Sequence, residues 1–158
     1  MPFALSNMEV TSQTFTPGGA IPSRHTGEGI DVSPALAWSS APAEARAFAV
    51  ICHDPDAPLV KAGTYGFVHW VLYNLPGSTS SLSEGTDLGT AGLNDFGNQR
   101  YNGPMPPEGH GQHRYYFWVI ALDDARTFEP GLTLWQWLEQ AEPHIIAMNR
   151  LVGTHQRD

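Results

Sequence analysis

A strand-rich fold is the class this sequence predicts, and three observations predict it. The runs Ala47–Cys52, Phe67–Asn74 and His113–Leu122 are strand-length and dominated by Val, Ile, Phe, Tyr and Trp, residues that suit a pleated, buried surface. The first two runs are closed by turn or breaker residues, Pro55 after the first and Pro76-Gly77-Ser78 after the second. The 158 residues include 16 Gly and 13 Pro, enough to punctuate many short elements. A chain of that length closes one good core but not two, so residues 1–158 read as a single domain.

In chain order, partial alternation of Leu5, Met8, Val10 and Phe15 predicts one or two short edge strands between Phe3 and Phe15. Pro17-Gly18-Gly19 is a turn. Residues 21–34 read as an ordered polar loop packed by Ile21, Ile30 and Val32, and Leu36 with Trp38 resumes a short strand. Ala47–Cys52 is apolar on both faces. Asp54 precedes a proline and is therefore held extended, and Asp54-Pro55-Asp56 reads as a turn whose carboxylates bond nearby amides.

After a short link through Lys61 and Gly66 the chain enters Phe67–Asn74. Strict alternation puts Phe67, His69, Val71 and Tyr73 on one face and Val68, Trp70 and Leu72 on the other, as in a central strand. Taken alone, His69 reads as a satisfied core histidine. Residues 92–111 form a long stretch without periodicity, stiffened by prolines and aromatics. Such a loop predicts a functional segment fixed across the sheet edge and supplying backbone N–H groups to a pocket.

In the third strand His113, Tyr115 and Phe117 share one face, and Arg114, Tyr116 and Trp118 the other. Same-face neighbours stand about 7 Å apart, so His113 and Tyr115 reach one ligand of phosphate size. Arg114 points away and is expected to anchor loop backbone or a carboxylate. Thr133 is the predicted N-cap of a helix through Ala141. Pro143 is expected to open a second short helix running to about Arg150 and ended by Gly153, with a last short strand within Leu151–Arg157.

A net charge of −8 repels nucleic acid and anionic membranes, so any bound anion must be held by a local site. No apolar run approaches the roughly 20 residues that cross a bilayer. The first ten residues lack a basic segment followed by an apolar one, so stable membrane insertion is not expected and the predicted location is the cytoplasm. The single cysteine, Cys52, sits in an apolar run and reads as a buried, inert thiol.

What remains is a set of polar side chains at strand ends or on strand faces: Asp54, Asp56, His69, His113 and Tyr115. Left unpaired in a core, such groups cost a few kcal/mol each, so they must pair with one another, with backbone or with a ligand. If the strands are neighbours, two imidazoles, a phenol and a carboxylate converge. That chemistry suits a phosphate monoester or a similar oxyanion.

Asp54-Pro55-Asp56-Ala57-Pro58, followed by His69-Trp70 and Asn74-Leu75-Pro76, resembles the first signature of the phosphatidylethanolamine-binding protein family. Gly103-Pro104-Met105-Pro106-Pro107-Glu108-Gly109 leading into His113-Arg114-Tyr115 resembles the second. Ser33–Trp38 and Leu151–Thr154 are similar to its short bacterial, Raf kinase inhibitor-like branch, and the likeness runs from about Ile21 to Arg157. The resemblance implies a mainly β fold, with a large central antiparallel sheet packed against a smaller sheet on one side and short helices on the other. It also implies an anion pocket of Asp54, Asp56, His69, His113 and Tyr115, rimmed by Met105, Pro106 and Pro107. Met105 stands where many members have a small residue, so the width of the opening turns on it. Longer eukaryotic members place a C-terminal helix over the site, which this chain is too short to supply; a more open pocket with weak lipid selectivity is implied.

The function expected from these readings is that of a binding protein for a phosphorylated small molecule or inorganic anion. It would modulate a kinase or protease partner and form a homodimer, as bacterial relatives do. In the expected mechanism each imidazole presents one N–H to the anion, Tyr115 adds its hydroxyl, Asp54 fixes an imidazole tautomer and loop amides complete the shell. Affinity should fall as pH rises through about 6.5. The alternative is a metal-assisted phosphate hydrolase with His69, His113 and Asp54 as ligands, and a third reading is an interaction scaffold with a vestigial pocket. The metal ligands come from separate strands without close spacing, and no Gly-x-Ser-x-Gly elbow or Gly-x-x-x-x-Gly-Lys loop is present, so neither catalysis nor a cofactor is expected.

Overall fold

The computed structural model describes residues 5–59 and 65–158, so part of the expected first strand and the Lys61 link lie outside the described residues. The three apolar runs become β3 (Ala47–Asp54), β4 (Phe67–Pro76) and β7 (His113–Leu122). With β6 (Thr90–Ala91) and β8 (Ile145–His155) they form an antiparallel five-stranded sheet in the order β6-β4-β3-β7-β8. A second sheet of β1 (Glu9–Thr11), β2 (Leu36–Ser39) and β5 (Ser81–Leu82), in the order β1-β2-β5, packs on one face. Helix α1 (Leu134–Ala141) covers the other. The central position of β3 and β4 follows from their sequences, which are apolar on both faces and have no solvent side.

Two cores result. Phe48, Val50, Cys52, Trp70, Leu72, Tyr115, Phe117 and Val119 face the small sheet and meet Met8, Val10, Leu36, Trp38 and Leu82. Ala49, Ile51, Val68, Val71, Tyr73 and Ile120 face the other way and meet Leu134, Trp137 and Ala141. The amphipathic helix is capped as its sequence requires. Thr133 Oγ1 accepts from the Gln136 amide at 3.2 Å, and Gln136 Oε1 accepts from the Thr133 amide at 3.0 Å. Cys52 is fully buried, and burial first, then the Asp54 carboxylate, push its thiol well above the ordinary range.

Three local expectations are corrected. The second helix is one 3-10 turn, Glu142–His144, after which Ile145–His155 is a strand along the whole of β7. Ala147, Leu151 and Gly153 are buried at odd positions on the face toward the small sheet, a period of two that pairing with β7 enforces over the local helical composition. Ile145, beside the register shift at Ala121–Leu122, joins the helix-side core, and Thr154 is also buried. Ile30, expected to pack its loop, is 70% exposed.

The third correction is on β4. Cys52 pairs with Trp70 but His53 pairs with Val68, so His69 is the extra residue of a β-bulge. Strict alternation fails there. Val71 and Tyr73 face the helix, whereas His69 and Phe67 are turned to the face that carries Tyr115.

Candidate functional site

The bulge creates the site. His69 lies edge-on to Tyr115 with ring centroids 5.2 Å apart, and Tyr115 is followed at 6.4 Å by the stacked ring of His113. A cavity of about 200 Å³ opens here, lined by Asp54, Ala57, Pro58, Phe67, His69, Phe96, Met105, Pro106, Pro107, His113 and Tyr115. It collects the turn that follows β3, the start of β4, residues of the 92–111 loop and the start of β7.

Asp54, His113 and His69 on the wall are each fixed by a named bond. Asp54 is buried. Its Oδ1 accepts from the Asp56 amide at 2.7 Å, which is the Asp-Pro-Asp turn, and its Oδ2 accepts from His113 Nδ1–H at 2.7 Å. His113 thereby has its tautomer set by a carboxylate. Its Nε2 lies 2.6 Å from Nδ1 of His110, an exposed side chain that the sequence reading did not single out. His69 Nδ1–H donates to the Asn102 carbonyl at 2.8 Å, while the Asn102 amide donates back to the His69 carbonyl at 3.1 Å. Burial outweighs this bond and the nearby Asp54 and Asp95 carboxylates, and lowers the His69 pKa from its ordinary value. The Tyr115 hydroxyl is buried and has no hydrogen-bond partner among the described residues. Burial, then Asp54, raises its pKa far above normal, so it stands as a neutral O–H donor.

Asp56 is placed elsewhere. It is not among the described lining residues of the cavity. Its Oδ2 accepts from the Arg114 amide at 2.8 Å and from Nε at 3.1 Å, and its Oδ1 accepts from an Arg114 terminal nitrogen at 2.9 Å. These bonds hold the Asp56 carboxyl below its usual range. Arg114 thus anchors a carboxylate on the outer face, as its alternation with His113 and Tyr115 requires.

The 92–111 loop is fixed, as its composition predicts. Asn94 is buried and ties the loop internally, with Oδ1 accepting from the Phe96 and Asn98 amides and Nδ2 donating to the Arg100 carbonyl. Asp31 Oδ1 accepts from the Gly103 amide at 2.7 Å, and a Cβ at Gly103 would strike the His25 carbonyl, so only glycine fits. Arg157 donates to the Pro106 carbonyl at 3.2 Å and accepts from the Gly109 amide at 3.0 Å. The loop contributes mainly walls. The amides of Asn102, Gly103, Gly109 and His110 are already bonded within the protein, and three prolines have none to give. The expected shell of loop amides is therefore reduced. Met105 is 41% exposed at the mouth and leans over Gly27, where a Cβ would meet its sulfur at 2.9 Å.

The sequence reading missed Phe67, Phe96, Ala57, Pro58, Asn102 and His110. Phe67 and Phe96 pack edge-on at 4.7 Å and form the apolar side of the cavity. Only their proximity to His69 in the fold signals them. As metal ligands the residues are poorly disposed: His113 has both ring nitrogens engaged. Among the described residues no group of three or more His, Cys, Asp or Glu is arranged to hold an ion. No helix among the described residues is long and apolar enough to cross a membrane.

The family model for phosphatidylethanolamine-binding protein matches residues 11–156. The chain belongs to this family. It is 40% identical to a UPF0098 protein of Chlamydia muridarum over 152 residues, 96% of this chain and 100% of the relative. The structure of the phosphatidylethanolamine-binding protein homologue CT736 from Chlamydia trachomatis superposes with a TM-score of 0.88 at 39% identity, covering 96% of this chain and 98% of that one. That of Escherichia coli YbcL, a member of the same family, does so at 0.87 and 28%, covering 97% and 100%. The two-sheet architecture with one short helix is thus the family fold.

Proposed function

We propose that this protein binds a small phosphoryl-bearing ligand, a phosphate monoester or a closely related oxyanion, between His69, His113 and Tyr115. The observation that carries this reading is the Tyr115 hydroxyl, buried without a partner among the described residues on a side chain that lines the cavity. Such a group costs about 1–3 kcal/mol unless something accepts its hydrogen, and an oxyanion in the cavity would do so. The apolar side formed by Phe67, Phe96 and Met105 suits the organic substituent of an ester. Membership of the phosphatidylethanolamine-binding protein family supports the ligand class.

The test is calorimetric titration with phenyl phosphate, paired with a crystal soak read for density between His69 and His113. Saturable heat and density at that place are expected. The absence of both at millimolar ligand would overturn the reading.

A further inference from the structure

The hydrogen on His69 Nδ1 is spoken for. The Asn102 carbonyl can only accept, and at 2.8 Å it requires that Nδ1 carry the hydrogen. In a neutral imidazole the other nitrogen, Nε2, is then a lone pair. Low solvent access keeps the ring neutral, with Asp54 and Asp95 the carboxylates acting on it and His113 and Tyr115 the titratable groups facing it from β7. Among the side chains of the described residues, the cavity therefore offers a ligand the Tyr115 O–H as a donor and His69 Nε2 as an acceptor. It also sets the ligand near the buried Asp54 carboxylate, which disfavours a second negative charge there. A fully ionised oxyanion has only acceptors and would meet the His69 lone pair with one of its own.

We propose that the cavity selects an oxyacid that still carries a hydrogen, taking a phosphate monoester as its singly charged ROPO₂(OH)⁻ form with the P–OH donating to His69 Nε2. This rests on the phosphoryl-binding reading and narrows it. Tyr115 donates to an unprotonated phosphoryl oxygen, and the Asn102 carbonyl, by fixing the His69 tautomer, acts as the positioning group. Because the second ionisation of a phosphate monoester lies near pH 6, binding above that pH takes up one proton from solvent. The site thereby discriminates against two groups of nearly the same shape: a sulfate monoester and a phosphate diester, neither of which retains an acidic hydrogen at neutral pH.

Titrating the intact chain with phenyl phosphate, phenyl sulfate and methyl phenyl phosphate at pH 6.5 separates the possibilities. Phenyl phosphate is expected to bind at least tenfold tighter than either analogue. At pH 7.5, in two buffers of different ionisation enthalpy, its binding heat should show uptake approaching one proton. Tyr115→Phe should weaken all three ligands by similar factors and leave the ranking intact. Equal affinity for the three esters, or binding of phenyl phosphate without proton uptake at pH 7.5, would overturn the selectivity while leaving phosphoryl binding standing. Binding of none of the three would overturn both.

Discussion

His69 packs edge-on against Tyr115 at 5.2 Å, although simple alternation along β4 groups it with Val71 and Tyr73, which face the helix. The bulge between the Cys52–Trp70 and His53–Val68 pairs is what reconciles the two. A polar side chain that a regular strand would bury under the helix is re-aimed at the cavity, a common use of bulges beside functional sites.

Tyr115→Phe should separate stability from binding. The hydroxyl has no partner among the described residues, so its removal relieves a desolvated group and is expected to leave stability unchanged or raise it by about 1 kcal/mol. Phenyl phosphate affinity should fall about tenfold to a hundredfold, the loss of one hydrogen bond to a charged group. Urea denaturation and calorimetry on the same preparation check it; a loss of stability would mean the hydroxyl is already satisfied.

Asp54→Ala should be costly for the opposite reason. It strands two donors, His113 Nδ1–H and the Asp56 amide, in a buried site. At about 1–3 kcal/mol for each unsatisfied group, a loss of about 2–6 kcal/mol is expected in urea denaturation. A change within 0.5 kcal/mol, roughly that of an ordinary surface substitution, would show that water replaces the carboxylate.

Acid should destabilise the fold partly through His69. Its folded pKa is lowered, chiefly by burial, so the unfolded chain binds more protons once the pH drops. Stability is then fully present above the unfolded value near 6.5 and declines as pH falls from there towards the folded value. The slope of urea midpoint against pH below about 6.5 should be shallower in His69→Gln than in the parent protein; identical slopes would assign the effect to other groups.

Asp56→Ala should leave phosphate-ester affinity within about twofold, because no part of the bidentate Asp56–Arg114 pair is among the described residues lining the cavity. Calorimetry decides this, and a tenfold loss would return Asp56 to the binding site.

Much of this protein was legible without coordinates. The strands β3, β4 and β7, the Asp-Pro-Asp turn, the Thr133 cap and the shared face of His113 and Tyr115 all depend on residues close in the chain, where proline geometry, capping and two-residue periodicity act directly. The resemblance of the two signature blocks supplied the family and the sheet packing.

Other features were decided only by tertiary structure. Whether Ile145–His155 is helix or strand was settled by the hydrogen bonds β7 offers it, which outweigh local composition. The face of His69 depends on the register of β4 against β3, the tautomer of His69 on a carbonyl 33 residues away, and the company of Asp56 on an arginine 58 residues away. Such pairings are set when distant segments pack, and no local window contains them. By itself the sequence determined which polar residues would stand at the strand ends; the fold determined which of them face the cavity, and which nitrogen of His69 it exposes.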